Sequence, residues 1–248
     1  MLETSALHTD FYQLTMMHGY FKEGKADQRV VFDLFYRQNP CGNGYAIAAG
    51  LEQVIEYIQQ LHFSKEEIDY LRSLKMFEED FLQLLRNFRF QGDLYAIPEG
   101  TVVFPNEPLI RIEARIIEAQ LLETALLNIV NHQTLIATKA ARIVKAAGGK
   151  PVLEFGSRRA QGMDAALYGA RAAMIGGCEA TSNTLAGKRF GIPVRGTHAH
   201  SWVLSFPSEL EAFRAYARTF PDNCLLLVDT YDTLRSGLPN AIRVAKEL

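Results

Sequence analysis

Cysteine is scarce in this sequence: Cys41, Cys178 and Cys224 are the three among 248 residues, widely separated and in no metal-ligand spacing. That argues against a disulfide framework and suits a reducing compartment. Neither sign of charge is in excess. Twenty-six Lys and Arg face 28 Asp and Glu, a formal net charge of −2, so no bulk attraction to nucleic acid or a membrane surface is expected. No apolar run approaches membrane-spanning length. The first residues carry Glu3, His8 and Asp10 and lack a basic segment followed by an apolar one, so no signal peptide is read. Low-complexity segments are absent. Neither a P-loop nor a G-x-G-x-x-G follows a strand-like run, which leaves Walker-type and Rossmann nucleotide sites unsupported. A cytoplasmic soluble protein is expected, an enzyme rather than a scaffold.

What is present is an ordinary globular balance. Hydrophobic residues make up 48% and charged residues 22%, enough for a sizeable core in one large domain or two smaller ones. Thr9 or Asp10 can cap a first helix on which Leu14, Met17 and Phe21 share a face. Val30–Arg37 is rich in β-branched and aromatic residues and reads as a strand, and the punctuation of Asn39–Gly44 reads as a loop. A helix over 51–61, a capping box at Ser64–Glu67 opening the next helix, and a helix over 78–88 follow. Strand-like runs come at 94–98, 101–104 and 109–112. The longest helical pattern spans 118–147, where Asn131-His132 could break it and Gly148-Gly149 stops it.

From Pro151 the pattern changes to four strand-then-helix units, with strand-like runs at 152–155, 179–181, 194–198 and 224–228. Alternation of this kind predicts parallel β/α architecture. The expected organisation is α/β: an N-terminal α+β domain over residues 1–135, then part of an irregular parallel β/α barrel over 136–248, holding its first four units. A polar cluster follows each strand-like run: Ser157-Arg158-Arg159, Ser182-Asn183, Thr197-His198-Ala199-His200 and Asp229-Thr230-Tyr231-Asp232. In parallel sheets and barrels such ends converge on one mouth, where reactive groups sit. His198 and His200 are two apart, so an extended chain would face them the same way. Arginines suit phosphate or carboxylate through forked donation. An imidazole beside a carboxylate suits acid–base work or nucleophilic attack. A metal held by His198, His200 and Asp229 is the weaker alternative, since their spacing matches no recognised ligand pattern; buried, hydrogen-bonded histidines are another.

Five ordered motifs then carry a resemblance: Thr9-Asp10-Phe11-Tyr12-Gln13-Leu14-Thr15-Met16, Glu154-Phe155-Gly156-Ser157-Arg158-Arg159-Ala160-Gln161-Gly162, Ala180-Thr181-Ser182-Asn183, Gly196-Thr197-His198-Ala199-His200-Ser201-Trp202 and Val228-Asp229-Thr230-Tyr231-Asp232. Together they resemble the nicotinate phosphoribosyltransferase family, from Thr9 to the last residue. The resemblance implies condensation of nicotinate with phosphoribosyl pyrophosphate to nicotinate mononucleotide and pyrophosphate, a step of NAD salvage. It implies coupling to hydrolysis of ATP, with its Mg2+, through a phosphorylated histidine, and a homodimer that shares active sites. It places the phosphohistidine on His200 and nicotinate contacts on Thr197 and Tyr12, with Tyr12 lent to the neighbour's site.

The residues themselves agree with that assignment. A nucleophilic imidazole must be neutral and oriented, and Asp229 is the expected orienting group for His200. Arg158 and Arg159 suit phosphates, and Phe155 could stack on a pyridine ring. Plainer roles stay open beside these: core packing for Phe155, an ion pair with Glu154 for Arg159, and a helix cap for Asp10. Nicotinamide-using relatives carry an aspartate near Ser182, where a carboxylate would repel nicotinate's own. Uncharged Ser182 therefore points to nicotinate, with nicotinamide or quinolinate as the alternative substrate. A closed barrel of this type needs about eight strands, and the family's later Asp-Ser-Gly-Asp run and glycine-rich phosphate loop are missing. The remaining alternative is thus a non-catalytic fragment, and the 248-residue chain alone is expected not to turn over.

Overall fold

The computed structural model describes residues 5–42 and 44–247, except the Cys41 side chain. Glu3, Asn43 of the expected loop and the end of the last helical pattern at Leu248 lie outside the described residues. Two compact units divide at Pro193 and Val194.

The first unit opens with helix α1 (Phe11–Lys22), which buries Leu14 and Met17. A three-stranded antiparallel sheet follows, with β1 (Arg29–Leu34) and β3 (Asp93–Ala96) flanking β5 (Ile110–Arg115). Phe32 is opposite Ile112 and Asp33 opposite Arg111. On β5, Ile110, Ile112 and Ala114 alternate inward, as a half-covered strand should. A smaller pair joins β2 (Ala46–Ile47) to β4 (Val102–Val103). Helices α2 (Leu51–Gln60), α3 (Lys65–Ser73) and α4 (Glu79–Arg86) bury Val54, Ile68, Leu71, Phe81, Leu82 and Leu85 in the same core as β5. The capping box at Ser64 forms as its spacing predicts: the hydroxyl accepts from Glu67 N–H, and the Glu67 carboxylate accepts from Ser64 N–H.

Helix α5 (Ile116–Ala146) runs unbroken for 31 residues, about 46 Å at the usual rise. Asn131-His132 does not interrupt it, because the His132 ring contacts the Ala165 carbonyl at 3.1 Å and leaves the helical ladder intact. Two α5 threonines serve the small sheet: Thr138 Oγ1 accepts from Ile47 N–H at 2.9 Å and Thr134 Oγ1 from Ala49 N–H at 3.3 Å. Helix α6 (Met163–Ile175) packs on α5, with Gly169 beside His132 and Ala172 clustered with Ala137. At its end the backbones approach so closely that a Cβ on Gly176 would lie 2.5 Å from the Ala137 carbonyl oxygen.

One charged group ties these elements together. Glu99, on the turn between β3 and β4, accepts from Gly50 N–H at 2.5 Å and Leu51 N–H at 3.0 Å, closing the N-terminus of α2. Gly50 is left-handed there, φ 109°, and a Cβ would crowd the α5 backbone. Arg171 on α6 reaches Glu99 through both terminal nitrogens, at 2.9 and 2.6 Å, and also meets Glu52 and Gln133. Burial alone would raise the Glu99 carboxyl, but the Arg171 hydrogen bond, the Gly50 amide, the Arg171 charge and the Leu51 amide outweigh it and hold the pKa below its ordinary value.

Beyond α5, the strands β6 (Leu153–Glu154) and β7 (Ala180–Thr181) pair in parallel, with Leu153 opposite Ala180. Helix α6 follows β6, and α7 (Thr184–Phe190) follows β7. The third expected strand is reduced to one bond, from Thr181 N–H to the Pro193 carbonyl at 3.0 Å.

In the second unit, helices α8 (His200–Leu204), α9 (Glu209–Thr219) and α10 (Leu238–Ala245) enclose a core of Val203, Ala212, Phe213, Ala217 and Val244. The expected strands over 194–198 and 224–228 do not form ladders among the described residues. An extended run becomes a strand only against a partner; the first of these runs keeps a single bridge residue, Val194, and the second pairs with none among the described residues. The mixed α/β class holds, with helices after all four runs and paired strands for two. Among the described residues no helix is long and apolar enough to cross a membrane.

The Glu99 junction gives a test. Glu99→Gln keeps an acceptor for the α2 amides but strips Arg171 of its main counter-charge, and should cost about 3 kcal/mol at neutral pH. Because the folded-state pKa is lowered, wild-type Glu99 contributes fully above its ordinary 4.5 and loses that contribution as pH falls through the folded value. Denaturant unfolding should therefore show the two proteins converging in acid; a constant gap across that range would refute the assignment.

Candidate functional site

The expected site residues fall in both units. In the first, Ser157–Arg159 forms a 3-10 turn directly after β6. Arg158 and Arg159 are exposed, and no side chain among the described residues engages either guanidinium. The expected Glu154–Arg159 ion pair is not formed. Glu154 is used locally instead: its carboxylate accepts from Thr181 Oγ1 at 2.6 Å and from Gly156 N–H. Phe155 is half-buried and belongs to none of the apolar clusters among the described residues, so core packing does not account for it. Ser157 Oγ is buried and has no hydrogen-bond partner among the described residues.

Ser182 follows β7 and is half-buried; its N–H donates to the Glu154 carbonyl at 3.0 Å, beside the turn that carries Phe155. Asn183 caps α7 by accepting from Ala186 N–H at 3.0 Å. Tyr12, on the exposed side of α1, donates to Glu123 Oε1 at 3.2 Å. Partial burial, and then the Glu123 and Asp10 carboxylates, hold its phenol above the ordinary value. Asp10 stands at the N-cap position of α1 without making the cap bond; its carboxylate accepts from Thr124 Oγ1 at 2.9 Å instead.

In the second unit, His198 and His200 do not face the same way. The chain over 196–199 is irregular and His200 opens α8, so strand alternation does not apply. His198 turns inward and is 9% exposed. Its ring lies edge-on to Tyr216 at 4.8 Å and near Phe213 at 5.8 Å, and Nε2 accepts from Leu227 N–H at 3.2 Å. Burial lowers its pKa, the Ala199 carbonyl at Nδ1 opposes this, and the His200 charge adds to the lowering. It is a neutral histidine bracing the segment before Asp229.

His200 is exposed. Its Nδ1 lies 3.3 Å from Thr230 Oγ1 and its Nε2 3.9 Å from Asp229 Oδ1. Asp229 is therefore beside the ring, but Thr230 makes the hydrogen bond. Thr230 was not singled out from sequence, although it sits next to Asp229 in a polar cluster. Thr197 is exposed and donates to the His198 carbonyl at 3.0 Å. The loop bearing Asp229 and Thr230 runs into a π-turn, Thr233–Gly237, whose start Asp232 caps by accepting from Leu234 and Arg235 N–H at 3.0 and 2.9 Å. Chemically, an exposed imidazole hydrogen-bonded at one nitrogen, with a carboxylate near the other, is suited to nucleophilic or acid–base work.

A family profile described as the nicotinate phosphoribosyltransferase N-terminal domain matches residues 7–131. A nicotinate phosphoribosyltransferase of Bacillus subtilis is 56% identical over 245 residues, covering 99% of this chain and 50% of the relative. The crystal structure of human nicotinic acid phosphoribosyltransferase superimposes with a TM-score of 0.88 at 35% identity, covering 96% of this chain and 58% of that one. That of a nicotinate-nucleotide pyrophosphorylase from Pyrococcus furiosus gives 0.74 at 25% identity, covering 97% and 54%. The chain spans about half the length of the curated relatives it matches.

The role given to His198 has a pH signature. A histidine whose folded pKa is lowered contributes fully above its ordinary 6.5, and that contribution is lost as pH drops below it. His198→Gln can still accept from Leu227 N–H and does not titrate. Its thermal midpoint should vary less with pH below 6.5 than that of wild type. Equal slopes would show that His198 is not the titrating brace.

Proposed function

The chain belongs to the nicotinate phosphoribosyltransferase family, and from that premise we propose that it supplies the nucleophile and the pyridine-binding part of an ATP-coupled nicotinate phosphoribosyltransferase. The observation that carries this reading is the His200 environment: an exposed ring, Nδ1 beside Thr230 Oγ1 at 3.3 Å, and Asp229 Oδ1 at 3.9 Å from Nε2. If Nδ1–H donates to Thr230, the lone pair is left on Nε2. Nε2 attacks the γ-phosphorus of ATP; an N–P bond forms, the bond to the β–γ bridging oxygen breaks, and ADP departs. Asp229 balances the positive charge that builds on the ring. Mg2+ arrives with ATP as part of the substrate. In the second half-reaction the nicotinate nitrogen bonds to C1 of the phosphoribosyl group while the C1–O bond to pyrophosphate breaks. Hydrolysis of phosphohistidine returns neutral His200.

The substrate reading rests on charge. Arg158 and Arg159 are unengaged cations after β6, and Ser182 after β7 adds no carboxylate to oppose nicotinate's own. Phe155, half-buried three residues before Arg158, offers a ring for stacking, and Thr197 a polar contact. We read the working form as a cytoplasmic homodimer in which exposed Tyr12 completes the neighbour's site; scarce, widely separated cysteines support the compartment.

With the full-length protein, label from the γ-phosphate of ATP should appear on His200 in an acid-labile, base-stable linkage. His200→Ala should abolish it. Thr230→Ala should slow it roughly five- to tenfold, the worth of one hydrogen bond of about 1 kcal/mol. Undiminished labelling of the His200 variant would reassign the nucleophile.

A further inference from the structure

Glu209, the first residue of α9, is 4% exposed in a unit whose surface is otherwise where its charges lie. A buried carboxylate is costly unless its oxygens are satisfied. One of them is: Oε2 accepts from Ser236 Oγ and from Asn240 Nδ2 at 3.0 Å. Ser236 belongs to the π-turn and Asn240 to α10, so this one oxygen pins both to α9. Its fellow, Oε1, is buried and has no partner among the described residues, an expense that stability alone does not explain.

The pinned turn leads directly to His200. Gly237 closes the π-turn, and a Cβ there would fall 1.8 Å from the Val228 carbonyl oxygen. The turn therefore lies flush on the backbone that immediately precedes Asp229 and Thr230. The same α9 holds the other side of the pair, since Trp202, two residues after His200 on α8, donates from Nε1 to the Ala212 carbonyl at 3.0 Å. Helix α9 is thus the common support: Trp202 sets α8 and its His200 against it, and Glu209 sets the π-turn, with Thr230 and Asp229, against it.

We propose that Glu209 is a positioning residue for the nucleophile, holding Thr230 at hydrogen-bond distance from His200 Nδ1 through Ser236, Asn240 and the Gly237–Val228 contact. This rests on the reading of His200 as nucleophile. Without the clamp the Asp229–Asp232 loop is free to drift, the Nδ1 contact loosens, and the ring samples both neutral tautomers, only one of which presents Nε2.

Nitrogen NMR of the His200 ring in the full-length protein tests this. Wild type should show a protonated Nδ1 and an unprotonated Nε2. Glu209→Ala, held well below its unfolding midpoint, should show mixed tautomers. Glu209→Gln still accepts from Ser236 and Asn240 and should restore the wild-type pattern. Ser236→Ala should move the ring the same way to a smaller degree, and it decides the matter if Glu209→Ala does not fold. In turnover, Glu209→Ala should lower kcat roughly ten- to a hundredfold while KM for nicotinate stays within about twofold. An unchanged His200 tautomer in the folded Glu209→Ala or Ser236→Ala protein would overturn the proposal and leave Glu209 a stabilising residue only. Absence of phosphoryl label on wild-type His200 would instead sink the nucleophile reading, and the tautomer comparison, which needs no turnover, would still decide the role of Glu209.

Discussion

A guanidinium taken out of water must find carboxylates, and a carboxylate taken out of water must fill its lone pairs. In the first unit these two demands meet at Arg171 and Glu99, and the joining of α2, α5 and α6 is bound up with satisfying them. Glu99 turns the β3–β4 connection towards the start of α2, where Gly50 and Leu51 present unpaired amides. Arg171 draws α6 against α5 and α2 to reach it. The glycines at 50 and 176 are the steric counterpart, removing side chains where the helix and turn backbones must come near. The β6 and β7 ends inherit their placement from this frame, because α6 leads out of one and towards the other.

The second unit is smaller and solves its problem with less apolar material: among the described residues its core cluster holds five buried apolar side chains, against several times that number in the main cluster of the first. Polar groups do correspondingly more. His198 accepts from the Leu227 amide inside an aromatic cluster, and Glu209 gathers Ser236 and Asn240. Both act on the same stretch of chain, and that stretch carries the two side chains next to His200.

Much of the first unit could be read from residue order alone. The capping box at Ser64, the strand-like runs and the long helix all carry local signals: a Ser-x-x-Glu spacing, β-branched and aromatic content, apolar residues at helical intervals. The helix is continuous through Asn131-His132 because a partner element satisfies the imidazole, which no local pattern discloses. The runs over 194–198 and 224–228 have strand-like composition, yet strand formation depends on a neighbour in space. The opposite facing of His198 and His200 escaped the reading for the same reason: it assumed extended backbone where the chain turns into a helix. His200 and Asp229 were recoverable from the polar clusters. Thr230 was passed over because Asp229 beside it offered the more obvious chemistry. Glu209 looks from sequence like an ordinary acidic first-turn residue, and only its burial marks it out.

The π-turn at Thr233–Gly237 is equivalent to one extra residue wound into a helical path. Each helical residue advances the side-chain direction by about 100°. Removing one residue here would let the turn tighten to an ordinary α-helix with α10 still in register, whereas removing one from α10 itself would turn everything after it by that angle. In that second case Val244, which α10 now buries in the core of Phe213 and Ala217, would rotate out and Ala245 would take its place. Residue count in α10 is therefore held by its packing, even though most of its side chains are exposed. Within the turn itself the fixed point is Gly237, where any side chain would meet the Val228 carbonyl oxygen.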